Sequence, residues 1–465
     1  MALEKRALVR FEPPCGPIIG RRCKGVIRAT GIPYARAERF ERPLALDDRS
    51  ETLSAVTPAS ACPQAPGTLM ALFFGPEALP RDEACQRLSI TLPGDLSRGE
   101  RLPVMVFFHG GAYSSGAGDD PCYDPRALVV GQRLIVVSVT YRLGLFGYPV
   151  DARGPANLGL FDQIEALRWV QRNIGAFGGD QNRVTAFGHS AGGDAVAHLM
   201  ATAEARCLFR RAIIQSAPLG IRHRREAMYR RMATARMPKA PGAGKGARAP
   251  DADEIVTLSQ RAEARARPFG LRGLMPFGVR YGRAPLPEEG EIEGAWSKAA
   301  PDIEVLIGTT RREVALYLAQ MPALSRLFKR VPGGRRARES LVRLLSERVY
   351  KNAALAFARR HADAGGRAWC YEIEWGVPES DYACAHAVEL ALLFEGPARR
   401  RDSPLLSAAS AAYIDTGART LQKLWADFAR GQLAGHLTVP GVIDCWQVAG
   451  QEIESRKIRG RSGAA

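Results

Sequence analysis

The chain has 465 residues, 46% of them apolar, and 65 Lys and Arg against 48 Asp and Glu give it a formal charge of +17. That length is enough to bury a large core, and an α/β sheet with insertions often runs this long as one unit. No stretch of about 18 consecutive apolar residues occurs, which argues against a membrane-spanning helix, and the opening Met1-Ala2-Leu3-Glu4-Lys5-Arg6 lacks the apolar core of a signal peptide.

A cytoplasmic protein is therefore expected. The positive charge comes mostly from arginines scattered through an Ala/Gly/Arg/Pro-rich composition. Local runs stand at Arg222-His223-Arg224-Arg225, Lys329-Arg330, Arg335-Arg336, Arg399-Arg400-Arg401 and Arg456 to Arg461. None is interleaved with aromatic residues, so they are read as solvated surface and no nucleic-acid partner is expected. The nine cysteines form no CxxC pair, which argues against a zinc site.

Taken in chain order, two apolar β-type runs at 104–108 and 134–140 flank a loop rich in Gly, Ser and Asp, as neighbouring strands of a large sheet do. The loop opens with His109-Gly110-Gly111-Ala112-Tyr113, whose small residues allow close approach of backbone N–H groups to a ligand; a simple turn is the alternative. Over 161–177 the residues Phe161, Ile164, Leu167, Val170, Ile174 and Phe177 recur every three or four positions, which predicts an amphipathic helix. Gly178-Gly179-Asp180 ends it.

A short apolar run, 184–187, leads into Gly188-His189-Ser190-Ala191-Gly192, and 194–203 has helix-forming composition. Strand, G-x-S-x-G and helix in that order define a nucleophile elbow, in which Ser190 sits on a strained turn at a helix N-terminus. Residues 212–215 supply a further strand, and the β-α-β-α-β alternation predicts a sheet covered by helices on both faces. The pattern then weakens. Residues 238–250, rich in Gly, Pro, Lys and Arg, read as a flexible basic loop. Strand-like runs return at 304–307 and 369–375, followed by a helix over 413–430.

An activated serine needs a base, and the base needs an acid that fixes its tautomer. Of seven histidines, His361, His386 and His436 lie well downstream of Ser190. His361 reads as an exposed helix cap and His436 as part of a polar, Gly-rich loop, whereas His386 follows a strand and a loop and is the better base. Just beyond the strand at 304–307 stands Glu313, an acid by position, although its neighbours Arg311 and Arg312 would also suit a surface ion pair.

Together these segments resemble the type B carboxylesterases, the α/β-hydrolase family of para-nitrobenzyl esterases and cholinesterases. The resemblance spans most of the chain: Gly31-Ile32-Pro33-Tyr34-Ala35 with Arg39-Phe40, Cys62-Pro63-Gln64, Tyr141-Arg142-Leu143-Gly144, and above all Asn157-Leu158-Gly159-Leu160-Phe161-Asp162-Gln163. That last block continues through Trp169-Val170, Asn173-Ile174 and Phe177 to Asp180 into the elbow.

The resemblance implies an α/β-hydrolase fold with a large mixed, mostly parallel sheet and a helical cover, one catalytic domain over 1–465 with 217–300 as the cover. It implies Ser190 as nucleophile, Glu313 as acid, His386 in a His-x-x-Glu/Asp-Leu segment as base, and the N–H groups of Gly111, Ala112 and Ala191 as oxyanion donors. The implied activity is hydrolysis of small-molecule carboxylic esters through an acyl-enzyme, with no metal or organic cofactor. An amide or carbamate hydrolase on the same triad, or a non-catalytic binding protein of the same fold, are the alternatives.

The chain departs from the family at His189, where an acidic residue is usual; an elbow turns adjacent side chains apart, so His189 is expected to point away from the nucleophile and act from behind the site. Cys62 and Cys85 stand where many members have a disulfide, and a bond or a buried thiol pair are both open. Phe394 and Tyr113 are candidate pocket walls, with core packing the equal alternative for aromatic residues at such places.

Overall fold

The computed structural model describes residues 7–66, 79–97, 99–151, 154–235, 250–378, 380–394, 403–406 and 409–449. Most of the predicted basic loop at 238–250, and the arginine runs at 399–401 and 456–461, lie outside them.

Fifteen strands are present among the described residues: β1 (Leu8–Phe11), β2 (Ile18–Cys23), β3 (Val26–Pro33), β4 (Ala35–Arg36), β5 (Leu44–Ala45), β6 (Leu53–Ser54), β7 (Arg87–Pro93), β8 (Leu102–Phe108), β9 (Ile135–Thr140), β10 (Gly179–His189), β11 (Arg211–Gln215), β12 (Glu304–Thr310), β13 (Ala368–Ile373), β14 (His436–Val439) and β15 (Ile443–Gln447). All but β4 and β5 join one sheet, whose path runs β1-β2-β3-β7-β9-β8-β10-β11-β12-β13-β15-β14, with β6 paired beside β2. From β9 to β13 every neighbour is parallel. The ladders joining β1, β2, β3, β7 and β9, and those joining β13, β15 and β14, are antiparallel.

The parallel strands are buried on both faces, which is why they read as continuous apolar runs instead of alternating ones. Helices cover the sheet in two groups. The first comprises Leu158–Asn173, Ala191–Met200, Ile292–Ala299 and Asn352–Asp363; the second comprises Arg126–Gln132, Val388–Leu393 and Ala411–Arg430. In Leu158–Asn173 the predicted stripe of Phe161, Ile164, Leu167 and Val170 is buried, and the last predicted turn, Ile174–Phe177, tightens to a 3-10 helix.

The motifs that carry the resemblance noted above brace this frame. Arg142 and Asp162 form a buried two-pronged ion pair, Nε to Oδ2 and Nη2 to Oδ1 both at 2.8 Å, and the Arg142 N–H also donates to Oδ2. The Asn157 amide, at the start of Leu158–Asn173, donates to the carbonyls of Arg280 and Arg283 and accepts the Arg280 N–H, tying the chain at 280–283 to the start of that helix. Gln64 donates to the Gly116 carbonyl and accepts its N–H, which pins the loop after β8.

Four expectations need correction. His361 is no exposed cap: it is buried in Asn352–Asp363 with Nε2 2.8 Å from the Ile303 carbonyl, and burial lowers its pKa to about 4. His436 lies on strand β14, not in a loop, although it is exposed as the polar sequence suggests. The run Arg222 to Arg225 is not simply solvated, because Arg222 lies buried over the Trp296 ring and Arg225 is buried, donating to carbonyls of Met275, Pro276 and Phe277. Tyr113 and Phe394 belong to the core: the Tyr113 hydroxyl donates to Asp194, and Phe394 packs against Phe107, Tyr123 and Phe187.

Candidate active site

The carboxyl ends of β8, β10 and β12 and the loop after β13 deliver the predicted residues to one place. At the end of β10, Ser190 adopts φ 56° and ψ −119°, a left-handed conformation that a side-chain-bearing residue holds only when its surroundings impose it. Here its N–H donates to the Gln215 carbonyl of β11 at 2.8 Å, and its carbonyl accepts the Asp194 N–H as the helix Ala191–Met200 begins. Gly192 permits the helix to come this close: a Cβ there would lie 1.9 Å from the Phe108 carbonyl oxygen.

Glu313 follows β12 and is fully buried. Its Oε1 accepts the Thr310 N–H at 2.7 Å and its Oε2 lies 2.5 Å from Nδ1 of His386. The neighbouring arginines that favoured a surface ion pair turn elsewhere, Arg311 to Glu374 and Arg312 to Glu339. His386 is also held by its own N–H to the Glu313 carbonyl, and the rings of Tyr317, Tyr350 and His189 surround it with centroids 5.6, 5.4 and 4.4 Å away.

Ser190 and His386 open onto one cavity of about 600 Å³, although no hydrogen bond joins their side chains. The loop after β8 forms another wall with Gly111, Ala112, Ser114 and Ser115. Gly111 (φ 104°) and Ala112 (φ 55°) both lie at positive φ, and a Cβ on Gly111 would meet the Ser115 carbonyl oxygen at 2.1 Å. His109 anchors this loop from beneath, buried against Tyr141, whose hydroxyl donates to the His109 carbonyl. Burial lowers the His109 pKa to about 4, so the ring is neutral. Ala191 sits at the first position of the elbow helix, where the N–H has no intrahelical acceptor.

The opposite wall comes from the helix Ala252–Ala266, started by an Asp251/Glu254 capping box, with Val256, Ser259, Gln260 and Glu263 on its cavity side. Its spacing of three and four puts them on one face. Burial raises the Glu263 carboxyl.

Three features were not legible as functional from sequence. His189 lines the cavity instead of pointing away from it; Tyr317 and Tyr350 box in His386; and Glu389 is buried behind the site with Oε1 accepting the Ser216 hydroxyl at 2.8 Å. Burial, reinforced by the nearby Glu313 charge, raises Glu389 to about pH 7. Its place in the His386 to Leu390 segment was the available signal. Cys62 and Cys85 are free, buried thiols, and the Cys62 Sγ accepts the Leu143 N–H.

Sheet order, elbow and site geometry define an α/β-hydrolase. Residues 9–332 match the carboxylesterase family model, so the chain belongs to the carboxylesterase family and is a carboxylic ester hydrolase. It is 37% identical to a probable N-octanoylanthranilate hydrolase of Rhodococcus erythropolis over 421 residues, covering 89% of this chain and 91% of that one. It is 31% identical to a para-nitrobenzyl esterase of Bacillus subtilis, covering 89% and 88%. Among solved structures, a thermophilic para-nitrobenzyl esterase superposes with TM-score 0.75 at 26% identity, covering 96% of this chain and 99% of that one.

Proposed function

We propose that ester hydrolysis here runs through a Ser190–His386–Glu313 triad and an acyl-enzyme. The observation that carries this reading is the buried Glu313 carboxylate 2.5 Å from His386 Nδ1, on a histidine that shares its cavity with a strained serine.

With Glu313 holding the proton on Nδ1, His386 Nε2 is left as the acceptor. The Ser190 hydroxyl attacks the substrate carbonyl carbon and gives its proton to Nε2. The oxygen that becomes negative is met by the N–H groups of Gly111, Ala112 and Ala191. Collapse of the tetrahedral intermediate breaks the bond to the leaving alcohol, which takes the proton from Nε2. Water, deprotonated by His386, then attacks the acyl carbonyl and frees the acid and Ser190. Residues 217–300, including Ala252–Ala266, serve in this reading as the cover that shapes the substrate cavity of a single catalytic domain.

A second substrate class is favoured by the relative named as an N-octanoylanthranilate hydrolase, an amide of a medium-chain acid. Amides pass through the same intermediate and differ in needing the leaving nitrogen protonated. The test is turnover of p-nitrophenyl acetate, butyrate and octanoate, and of an octanoyl ester beside its matching anilide, with Ser190→Ala in parallel. Activity in the parent and none in the variant is the expected result. Turnover surviving in Ser190→Ala would overturn the assignment, and the ester-to-anilide ratio decides between the classes.

A further inference from the structure

His189 stands beside the nucleophile in a position where its chemistry is not explained by packing. It is buried and lines the cavity, yet neither ring nitrogen has a hydrogen-bond partner. A buried polar ring without a protein partner is costly, and such groups concentrate where function requires them. One face of the ring lies against His386, with centroids 4.4 Å apart. Its Nε2 lies 3.5 Å from Oε1 of Glu389, whose second oxygen is also unpartnered.

We infer that His189 is a positioning residue, a neutral ring set against both His386 and Glu389 that steadies the base and, by turning Nε2–H onto Glu389, holds a second carboxylate charge behind it. The inference rests on the triad reading above. A 3.5 Å separation is too long for a good hydrogen bond, and a small side-chain rotation closes it when Glu389 ionises.

Every charged or titratable group facing the pair bears on this. His189 faces His386 and Glu389, and Glu389 faces Ser216, Glu313, His386, Tyr350 and Tyr371. The donors to an ionised Glu389 are the hydroxyl of Ser216 and its own backbone N–H, to which a turned His189 would add a third. Burial, and then the proximity of His386, holds His189 well below its ordinary pKa, so it adds no positive charge beside the imidazolium formed in each cycle. An ionised Glu389, by contrast, favours that imidazolium.

The sign of the effect follows. Removing the Glu389 charge, or the donor that sustains it, makes the imidazolium less favourable, so the acid limb of kcat/KM moves to lower pH. The experiment follows kcat/KM for p-nitrophenyl butyrate from about pH 5 to 9 in the parent, His189→Phe, His189→Gln, Glu389→Gln and His189→Phe/Glu389→Gln.

His189→Phe keeps a ring against His386 and loses the donor, and Glu389→Gln loses the charge; each is expected to lower the limb by about half a pH unit or more. The double variant is expected to shift no further than either single one, because both act through one charge. His189→Gln keeps an N–H but not the ring, and is expected to lower kcat several-fold with the limb near the parent's. A purely structural role would change yield and kcat without moving the limb.

The pH dependence of the downfield proton resonance between His386 and Glu313 reads the same shift without turnover. It therefore separates failure of this inference from failure of the esterase mechanism. An unmoved limb and an unmoved proton titration in His189→Phe and Glu389→Gln, or shifts that add in the double variant, would overturn it.

Discussion

Replacing Glu313 by Gln tests the site at its most constrained point. The carboxylate is fully buried and divides its oxygens between the Thr310 N–H and His386 Nδ1. Glutamine is nearly the same size and leaves no cavity, so the fold should survive and the loss should fall on chemistry. With the charge centres roughly 4 Å apart and an effective dielectric of about 20, the carboxylate stabilises the imidazolium by about 4 kcal/mol, close to three decades in rate. The amide adds a second defect if its NH₂ turns to the ring, since His386 must then carry its proton on Nε2 and cannot accept one from Ser190. The expected outcome is a fall in kcat of about 10³ to 10⁴-fold with KM little changed and a melting temperature close to the parent's. Stopped p-nitrophenyl butyrate assays at high enzyme, with circular dichroism melts, give both numbers. A kcat within tenfold of the parent in a folded variant would refute the assignment of Glu313 as the acid.

Stability should carry the mark of Glu389. Its carboxyl is raised from an ordinary 4.5 to about 7 by burial and by Glu313. The folded state therefore holds a proton that the unfolded chain releases, so the associated stability is complete below about pH 4.5 and is lost as pH rises through 7. Glu389→Gln is expected to gain up to about 3 kcal/mol over the parent at pH 8 and little at pH 4.5, read from urea midpoints; a gain independent of pH would count against it. Asp162→Ala leaves Arg142 buried without its partner and should cost about 3 to 5 kcal/mol, visible as a lower urea midpoint at unchanged slope. A cost under 1 kcal/mol would show that water or the Glu41 carbonyl, which Arg142 also contacts, takes over. Among the cysteines, a thiol reagent applied to the native protein should label exposed Cys207 first and leave Cys62 and Cys85 untouched until unfolding, as peptide mass mapping would show; rapid labelling of Cys85 would contradict its burial.

Much of the frame could be read from residue order because it is local. The stripe from Phe161 to Val170 and the apolar runs feeding β8, β9 and β10 are periodicities of single elements, and the elbow is a five-residue pattern that dictates its own backbone. Glu313 and His386 were harder, since 73 residues separate them and only the sheet brings them together; position after a strand nominated each one, and the family resemblance then paired them. Three of the errors have one cause. Arg222, Arg225 and His361 looked like surface because they are polar, yet tertiary structure supplies a Trp296 face and backbone carbonyls to receive them. Tyr113 was placed on the cavity for its proximity in sequence to Gly111, but positive φ at 112 and 113 turns the side chain inward to Asp194.

The helix Ala252–Ala266 touches the cavity with four side chains, while Ser190, Glu313 and His386 are anchored to the frame of β10, β11 and β12. In the proposed function, much of the recognition surface and the reacting groups are thus mounted on separate parts of the molecule. Val256 and Gln260 make none of the hydrogen bonds that orient the base, whereas Glu263 bonds Ser114 of the loop after β8, so a library confined to Val256 and Gln260 is expected to search substrate range with the reaction itself intact. Lineages diverging by drift in this segment would acquire new diets before they acquired new mechanisms.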